Sequence, residues 1–534
     1  MAHDRMMRPA MPKNIILCSD GTGNADIKGR GTNVFKLFEA VDLNEHRTNP
    51  ELEAQLAFYD DGVGSKGSML TRLMGNATGY GLAANVKQLY RELSRVYDEE
   101  DRIFLFGFSR GAFTVRTLAD MIGKCGVLKG DTFETATDLR KAVDAAYDAY
   151  RAYYDSHLTS LMVRLTNGAD GPTRVREFQE NYEPYRDVKI RFIGVWDTVD
   201  AVGLPFAIAD TVNTLIYQFK FPDRLLGEHV QHAYHALSLD DDRRAFEPVL
   251  WHAGEGDTRI EQVWFAGVHS NVGGGYPKQG MSLVALDWML AHAETHRLRL
   301  QPLDNQMFRG HASVDDMMYN PRAGLGLFYR WAPRDVRAYC EKSGIDQPTI
   351  HLTVAERIAH GTDDYAPGNI PPRATVAFTP PSGQDAEDVR ERKVDILQRR
   401  AAAVQEVLDR AHQERGYALD AVKDVVEFGD LSYWLFIVGW ICLAGLAVAL
   451  GADAIRHRHV DWHWWILWPL GGALLALALA SGLSRLVDNI LSDKFSTFWH
   501  PYQPQLRKAL KQAHAVARAE ARGEVPPPPL VTQS

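Results

Sequence analysis

Short, nearly unbroken apolar runs alternate along the chain with longer stretches whose apolar positions recur every three to four residues. Lys13 to Ser19, Arg102 to Phe106, Val188 to Trp196 and Ile260 to Val268 are compact apolar runs of the first kind. Runs of that length predict strands covered on both faces. Glu53 to Tyr59 is a further candidate strand, and a Gly-rich stretch from Gly62 to Gly81 follows it. Asn85 to Tyr97 places Val86, Leu89, Tyr90, Leu93 and Val96 on one helical face, and Ala112 to Ile122 reads as the helix after the Arg102 strand. Strands alternating with helices predict a mostly parallel sheet covered by helices, an α/β class.

Insertions interrupt that alternation. Thr132 to Asn181 is mostly charged and helical, and is expected as a surface excursion. Pro205 to Leu226 is more apolar and reads first as a core helix, with a lipid-facing lid as the alternative. The stretch HVQHAYHALSLDDDRRAF from His229 to Phe246 reads as helical. Pro367 to Pro381 is proline-rich and reads as a linker, and Ala386 to Val426 as a charged amphipathic helical region. The last residues, EVPPPPLVTQS, predict an extended tail.

Leu431 to Ala452 and Trp464 to Leu483 break the pattern, because neither contains a charge. Each is long enough to cross roughly 30 Å of hydrocarbon as a helix. Tyr433, Trp434, Trp462, Trp464, Trp465 and Trp468 fall near the expected interfaces. Gly472, Ala476 and Ala480 recur every four residues, a spacing suited to close helix packing. The short connection from Asp453 to His463 makes the pair a hairpin, with a buried helical pair in a soluble core as the other reading. Lys423, Arg485 and Lys494 outside it stand against Arg456 and Arg458 in the turn, so the positive-inside rule gives only a weak orientation. The chain then divides into a catalytic domain with helical insertions at 1–365, a linker and amphipathic region at 366–430, a transmembrane hairpin at 431–483 and a C-terminal helix with Pro-rich tail at 484–534.

Composition narrows the function classes. With 534 residues, 46% hydrophobic and 24% charged, the chain is ordinarily globular, and a net charge of −9 gives no footprint for nucleic acid. Cys18, Cys125, Cys340 and Cys442 are too dispersed for a disulfide scaffold or structural zinc. No apolar leader of signal length follows MAHDRMMRPAMPK, so the catalytic part is expected on the cytoplasmic side.

The chemistry centres on Gly107-Phe108-Ser109-Arg110-Gly111, a G-x-S-x-G sequence with an apolar strand before it and a helical pattern after it. That context predicts a nucleophile elbow: a sharp strand-to-helix turn that lifts the serine hydroxyl above the sheet. A hydroxyl needs a base, and the base an orienting acid; in such folds the order is Ser, Asp or Glu, then His. Asp197 directly follows the Ile190 strand, with Asp200 as a competing acid three residues on. His269 follows the Val263 strand, while His229, His232, His235 and His252 compete for the same role. The Arg110 N–H is the first expected oxyanion donor, and the loop Asp20-Gly21-Thr22-Gly23-Asn24 offers Gly21 or Thr22 for the second. The alternative for that loop is a small phosphate nest, but no Walker lysine follows it, which argues against a nucleotide fold. Acidic or cysteine partners at metal-ligand spacing are lacking around the histidines, so neither a metal nor a cofactor is expected.

SDGTGN at Ser19 to Asn24, GVG at Gly62, GNATGYGL at Gly75, FGFSRGAF at Phe106, WDTV at Trp196, HALSLDDDRRAFEPVLW at His235 and GVHSNVGGGY at Gly267 stand in a consistent order. From about Lys13 to Leu290 the chain thereby resembles the first family of type VI secretion lipase effectors and its uncharacterised relatives. The resemblance implies an α/β-hydrolase fold and cleavage of a phospholipid or another carboxylic ester. It implies Ser109 as nucleophile, Asp197 as acid and His269 as base. Asn271 stands where the family usually has Asp after the histidine-serine pair. The expected partners are a lipid or acyl-ester substrate and a bilayer; an immunity or secretion partner is left unassigned. The rival reading is a catalytically silent, membrane-anchored binding or scaffolding protein on the same fold.

Overall fold

The structure is a computed structural model, and it describes residues 11–21, 31–62, 80–155, 171–199, 224–254, 256–323, 328–383, 385–457 and 464–521. Pro205 to Leu226 therefore lies almost wholly outside the described residues. Eight strands form one sheet: β1 (Asn14–Ser19), β2 (Gln55–Asp60), β3 (Arg102–Phe108), β4 (Ile190–Trp196), β5 (Ala233–Ser238), β6 (Ile260–Phe265), β7 (Thr349–His351) and β8 (Thr375–Ala377). Their order is β2-β1-β3-β4-β5-β6-β7-β8, and each neighbouring pair is parallel. The first connection runs from β1 to one side and the chain then crosses to the other, so the strand order reverses between β1 and β3. Carboxyl ends of strands at such a reversal are where α/β sheets place their ligands.

The helices through the first part of the chain are α1 (Asn33–Ala40), α2 (Tyr80–Val96), α3 (Arg110–Cys125), α4 (Ala136–Asp155), α5 (Gly171–Tyr182), α6 (His269–Gly273) and α7 (Gly280–Thr295). Strand residues alternate between two cores, as the two-residue period of a strand dictates. Ile15, Leu17, Ile103 and Leu105 face α2, α3 and α4, while Ile16, Cys18, Phe104 and Phe106 face α1 and α7. Each core is sealed by large side chains, including Tyr90 on one face and Trp196 and Trp288 on the other.

Three sequence expectations change. The His229 to Phe246 stretch is not an α-helix: it contains β5, which pairs with β4 and β6, and only Arg244–Phe246 at its end makes a single 3-10 turn. Its histidines recur every three residues and imitate a helix, but a slot between two strands supplies hydrogen bonds to both edges and overrides local preference. The Thr132 to Asn181 insertion is not a surface excursion. Leu139, Ala142, Val143, Ala146, Tyr147 and Tyr150 of α4 bury against the first core, leaving the charges outward. Pro367 to Pro381 is more than a linker, because β8 lies within it and closes the sheet edge against β7.

The remaining helices are α8 (Pro302–His311), α9 (Val336–Lys342), α10 (Leu352–His360), α11 (Glu387–Arg415), α12 (Lys423–His457), α13 (Trp464–Trp499) and α14 (Gln503–Ala521). The apolar stripe Val404, Val407, Leu408 and Ala411 of α11 packs with Trp499, Tyr502 and Leu506 into a core shared with Ile350 and Ile358. Both ends of the α12–α13 pair are thus rooted in the globular part. Along their length the two helices stay exposed to an unusual degree for apolar residues: Ile441 is 61% and Trp468 77% exposed. Their mutual contact uses Ala473, Leu477 and Ala480 against Gly439 and Ser432. Ala480 of the expected Gly472-Ala476-Ala480 stripe takes part, whereas Gly472 lies off the contact, a Cβ there having nothing within 4 Å. Trp462 lies outside the described residues.

Gly111 explains why the elbow needs glycine on the helix side. A Cβ there would press into the carbonyl oxygen of Ser19 at the end of β1. Gly111→Ala is expected to lower stability by about 1–3 kcal/mol through overpacking, read as a reduced urea midpoint with an unchanged slope.

Candidate active site

Ser109 lies between β3 and α3 with φ 57° and ψ −121°, a conformation that residues with a Cβ seldom adopt. Its N–H donates to the Trp196 carbonyl at 3.1 Å, which ties the elbow to the end of β4. Arg110 opens α3, so its N–H has no acceptor in a preceding turn. The elbow abuts the β1 loop, because Gly111 is packed on the backbone of both Ser19 and Asp20.

Asp197 follows β4 at φ 37° and is wholly buried. His269 opens α6 and is 4% exposed. The two meet at 2.6 Å, His269 Nδ1 to Asp197 Oδ2. Phe108 and Phe246 flank the imidazole with ring centroids 4.6 and 4.9 Å away, and the His269 N–H donates to Asp241 at 3.1 Å. Three residues that are distant in sequence thus converge on the carboxyl edge of the sheet, at the ends of β3, β4 and β6.

Further donors surround Asp197. The Ser238 N–H reaches Oδ1 at 2.9 Å and the Ser238 hydroxyl reaches Oδ2 at 3.3 Å. The Arg334 guanidinium adds Nη1 to Oδ1 at 2.7 Å and Nη2 to Oδ2 at 2.9 Å. Burial alone would push this carboxyl up, but Arg334 and His269 hold it well below the usual carboxylate range. Burial likewise pulls the His269 imidazole down, against the opposing pull of Asp197. The imidazole is therefore neutral near pH 7, the state that a general base requires.

The other sequence candidates separate. Gly21 is beside the elbow, but its N–H donates to Asp20 Oδ1 at 2.6 Å, and the same carboxylate takes the Thr32 and Tyr59 hydroxyls at 2.5 and 2.6 Å. Thr22 and Asp200 lie outside the described residues. His229 binds the Ala119 carbonyl at 2.7 Å and His232 stacks on His296, both away from the elbow. His252 is linked through its N–H to the Arg224 carbonyl. Asn271 is buried behind His269, where its Nδ2 donates to the Met317 carbonyl at 3.1 Å. No group of residues able to hold a metal ion occurs among the described residues.

Sequence reasoning missed Arg334, Ser238 and Asp241. Ser238 and Asp241 became findable once β5 was a strand, since Ser238 is then its last residue and Asp241 falls in the loop after it. Arg334 is 137 residues from Asp197 and no local motif marks it.

A parallel α/β sheet, an elbow serine at its carboxyl edge and a buried acid–imidazole pair define the class of protein. Within that class the chain belongs to the family described as "T6SS, Phospholipase effector Tle1-like, catalytic domain", which matches residues 13–292. The chain is also 30% identical over 266 residues to an uncharacterized protein of Saccharomyces cerevisiae, YEL023C, covering 46% of this chain and 34% of that protein. It thus spans about a third of the length of that curated relative. An uncharacterized protein from Pseudomonas aeruginosa of known crystal structure aligns at 17% identity over 78% of this chain and 63% of its own, with a TM-score of 0.32.

His235 carries a pH signature. It is fully buried on β5, its Nε2 accepts the Thr198 N–H at 3.1 Å, and its Nδ1 meets Gln262 Oε1 at 3.3 Å. That pairing requires the neutral ring, and burial, with Arg116 nearby, pushes it down to about 3. A histidine lowered on folding leaves stability intact above its ordinary value and removes it progressively as pH falls towards the folded one. The urea-derived stability should fall between pH 7 and pH 4 by about 2–3 kcal/mol more in the wild type than in His235→Gln, whose amide oxygen can still accept from Thr198.

Proposed function

We propose that this protein is a serine hydrolase of carboxylic esters, acting on glycerophospholipid or a related acyl lipid at a membrane to which its α12–α13 hairpin anchors it. The observation that carries the reading is the 2.6 Å Asp197–His269 pair buried at the same sheet edge as a left-handed elbow serine. In the proposed cycle Ser109 attacks the ester carbonyl while His269 Nε2 takes its proton. Asp197 holds Nδ1 and stabilises the imidazolium, the Arg110 N–H faces the oxyanion, and water then releases the fatty acid. The second oxyanion donor is assigned to the Gly21–Thr22 loop, which has to redirect the Gly21 N–H from Asp20 or present Thr22.

Membership of the phospholipase effector family supports a lipid substrate. The membrane reading rests on two helices that are long and apolar enough to cross a bilayer and whose apolar stretches are mostly left exposed. Large side chains left in water along both helices lose their hydrophobic stabilisation, and a hydrocarbon surround restores it. Because both ends of the hairpin return to one globular part, the catalytic side and the tail lie on the same face of the membrane, which we assign to the cytoplasm.

Fluorophosphonate labelling of the full chain in detergent tests the activated serine. Ser109→Ala and His269→Ala should each lose at least about a thousandfold in labelling rate. An unlabelled wild type beside a reactive control hydrolase would sink the reading and favour the scaffold. Because His269 lies below its ordinary 6.5, the rate should hold as pH drops past that value and fall with a midpoint below it. Membrane anchoring predicts that the chain pellets with membranes through carbonate and high-salt washes and is released only by detergent.

A further inference from the structure

Arg334 enters the site from outside residues 13–292, the stretch that the catalytic-domain family matches. Its side chain is 2% exposed. Besides Asp197 it holds the carbonyls of Ser238 at 2.5 Å and Phe246 at 2.6 Å. The guanidinium thus fixes one carboxylate and the two segments of chain beside it.

The segment that delivers Arg334 is fastened at its other end to the foot of the hairpin. Arg330 pairs with Asp430 through Nε at 2.6 Å and through Nη2. Trp331 covers Gly429 so closely that a Cβ there has no room. The Phe328 ring lies 5.4 Å from Phe436 and 5.8 Å from Trp440, and the Tyr433 hydroxyl donates to the Phe328 carbonyl at 3.3 Å. Between its ends the segment is laced to the loop after β5: Arg244 N–H to the Arg330 carbonyl at 2.9 Å, and Ala332 N–H to the Asp242 carbonyl at 2.7 Å. That loop also carries Asp241, which accepts the His269 N–H, and Phe246, which packs on its ring.

We propose that Arg334 is a positioning residue for Asp197, and that residues 328–334 form a strap through which the seating of the hairpin sets the acid–imidazole pair. The proposal rests on the reading of Ser109, Asp197 and His269 as a hydrolytic triad. Donors on both carboxylate oxygens stop Asp197 from rotating about its last torsion and keep Oδ2 on His269 Nδ1. The guanidinium charge also offsets the carboxylate, so the imidazole feels less than a full negative neighbour. The other charged groups facing the pair are Asp241 and its partner Arg243, with His235 neutral behind Thr198. Loss of Arg334 frees the carboxylate to turn and exposes His269 to its whole charge. The reaction then slows while the histidine becomes more basic, a combination that simple loosening of the fold does not produce.

The experiment compares wild type, Arg334→Met, Arg334→Lys and Arg330→Met as full chains in phosphatidylethanolamine–phosphatidylglycerol vesicles. Two readouts are taken: the His269 titration by 15N-histidine NMR, and the fluorophosphonate labelling rate against pH. Arg334→Met should raise the His269 midpoint by about half a pH unit or more and slow labelling about tenfold or more. Arg334→Lys keeps the charge and should leave the midpoint near wild type with a slower rate. Arg330→Met, at the partly buried hairpin end of the strap, should move both readouts the same way as Arg334→Met by a smaller amount. An unmoved midpoint in a folded Arg334→Met overturns the positioning role; if that variant does not fold, a wild-type rate in Arg334→Lys overturns it instead. Arg330→Met that matches wild type in both readouts overturns the strap. The NMR midpoint is read whether or not the serine labels, so a wild type that fails to label refutes the hydrolase reading separately.

Discussion

A carboxylate removed entirely from water has to be met by donors on both oxygens, or its charge is lost to protonation. Asp197 is that group, and much of the surrounding architecture can be traced to meeting it. β4 delivers it, the end of β5 supplies the Ser238 N–H and hydroxyl, α6 supplies an imidazole, and a distant segment supplies a guanidinium. Removing any one partner leaves a buried charge partly unmet, which is why this region is expected to behave as a unit.

The elbow depends on close backbone approach. A parallel register brings the ends of β1, β3 and β4 level, and the Ser109 N–H is bonded across to the Trp196 carbonyl. Gly111 lets α3 begin directly against the β1 loop, so the candidate nucleophile and the Asp20 loop lie side by side at the point where the strand order reverses. The left-handed backbone at Ser109 and Asp197 is held in place by these neighbours.

The C-terminal part extends the globular body. α11 and α14 pack with β7 and the end of α13 into one apolar core, with the Trp499 indole bonded to the Pro367 carbonyl at 2.7 Å and the Tyr502 hydroxyl to Glu414 at 2.6 Å. A second, smaller core at the hairpin foot joins Trp331 and Tyr417 to Val487 and Leu491. The exposed apolar helices are therefore held at both ends by ordinary soluble packing, and the strap that carries Arg334 runs from that foot to the site.

Local pattern by itself determined the parallel α/β class, the β3–elbow–α3 unit and the two apolar helices, because each is written within one or two dozen consecutive residues. Strand ends likewise marked Asp197 and His269, since the period of a buried strand stops where the loop begins. Tertiary structure alone decided that His235 sits on a strand, that α4 turns its aromatic face inward and that β8 lies in a proline-rich stretch. In each case an available sheet edge or apolar surface outweighed local preference. It alone also decided which histidine Asp197 would meet, and that Arg334 would pair with the same carboxylate. A contact spanning 137 residues leaves no period or spacing in the chain, and the cost of a buried charge exists only once the fold has closed around it.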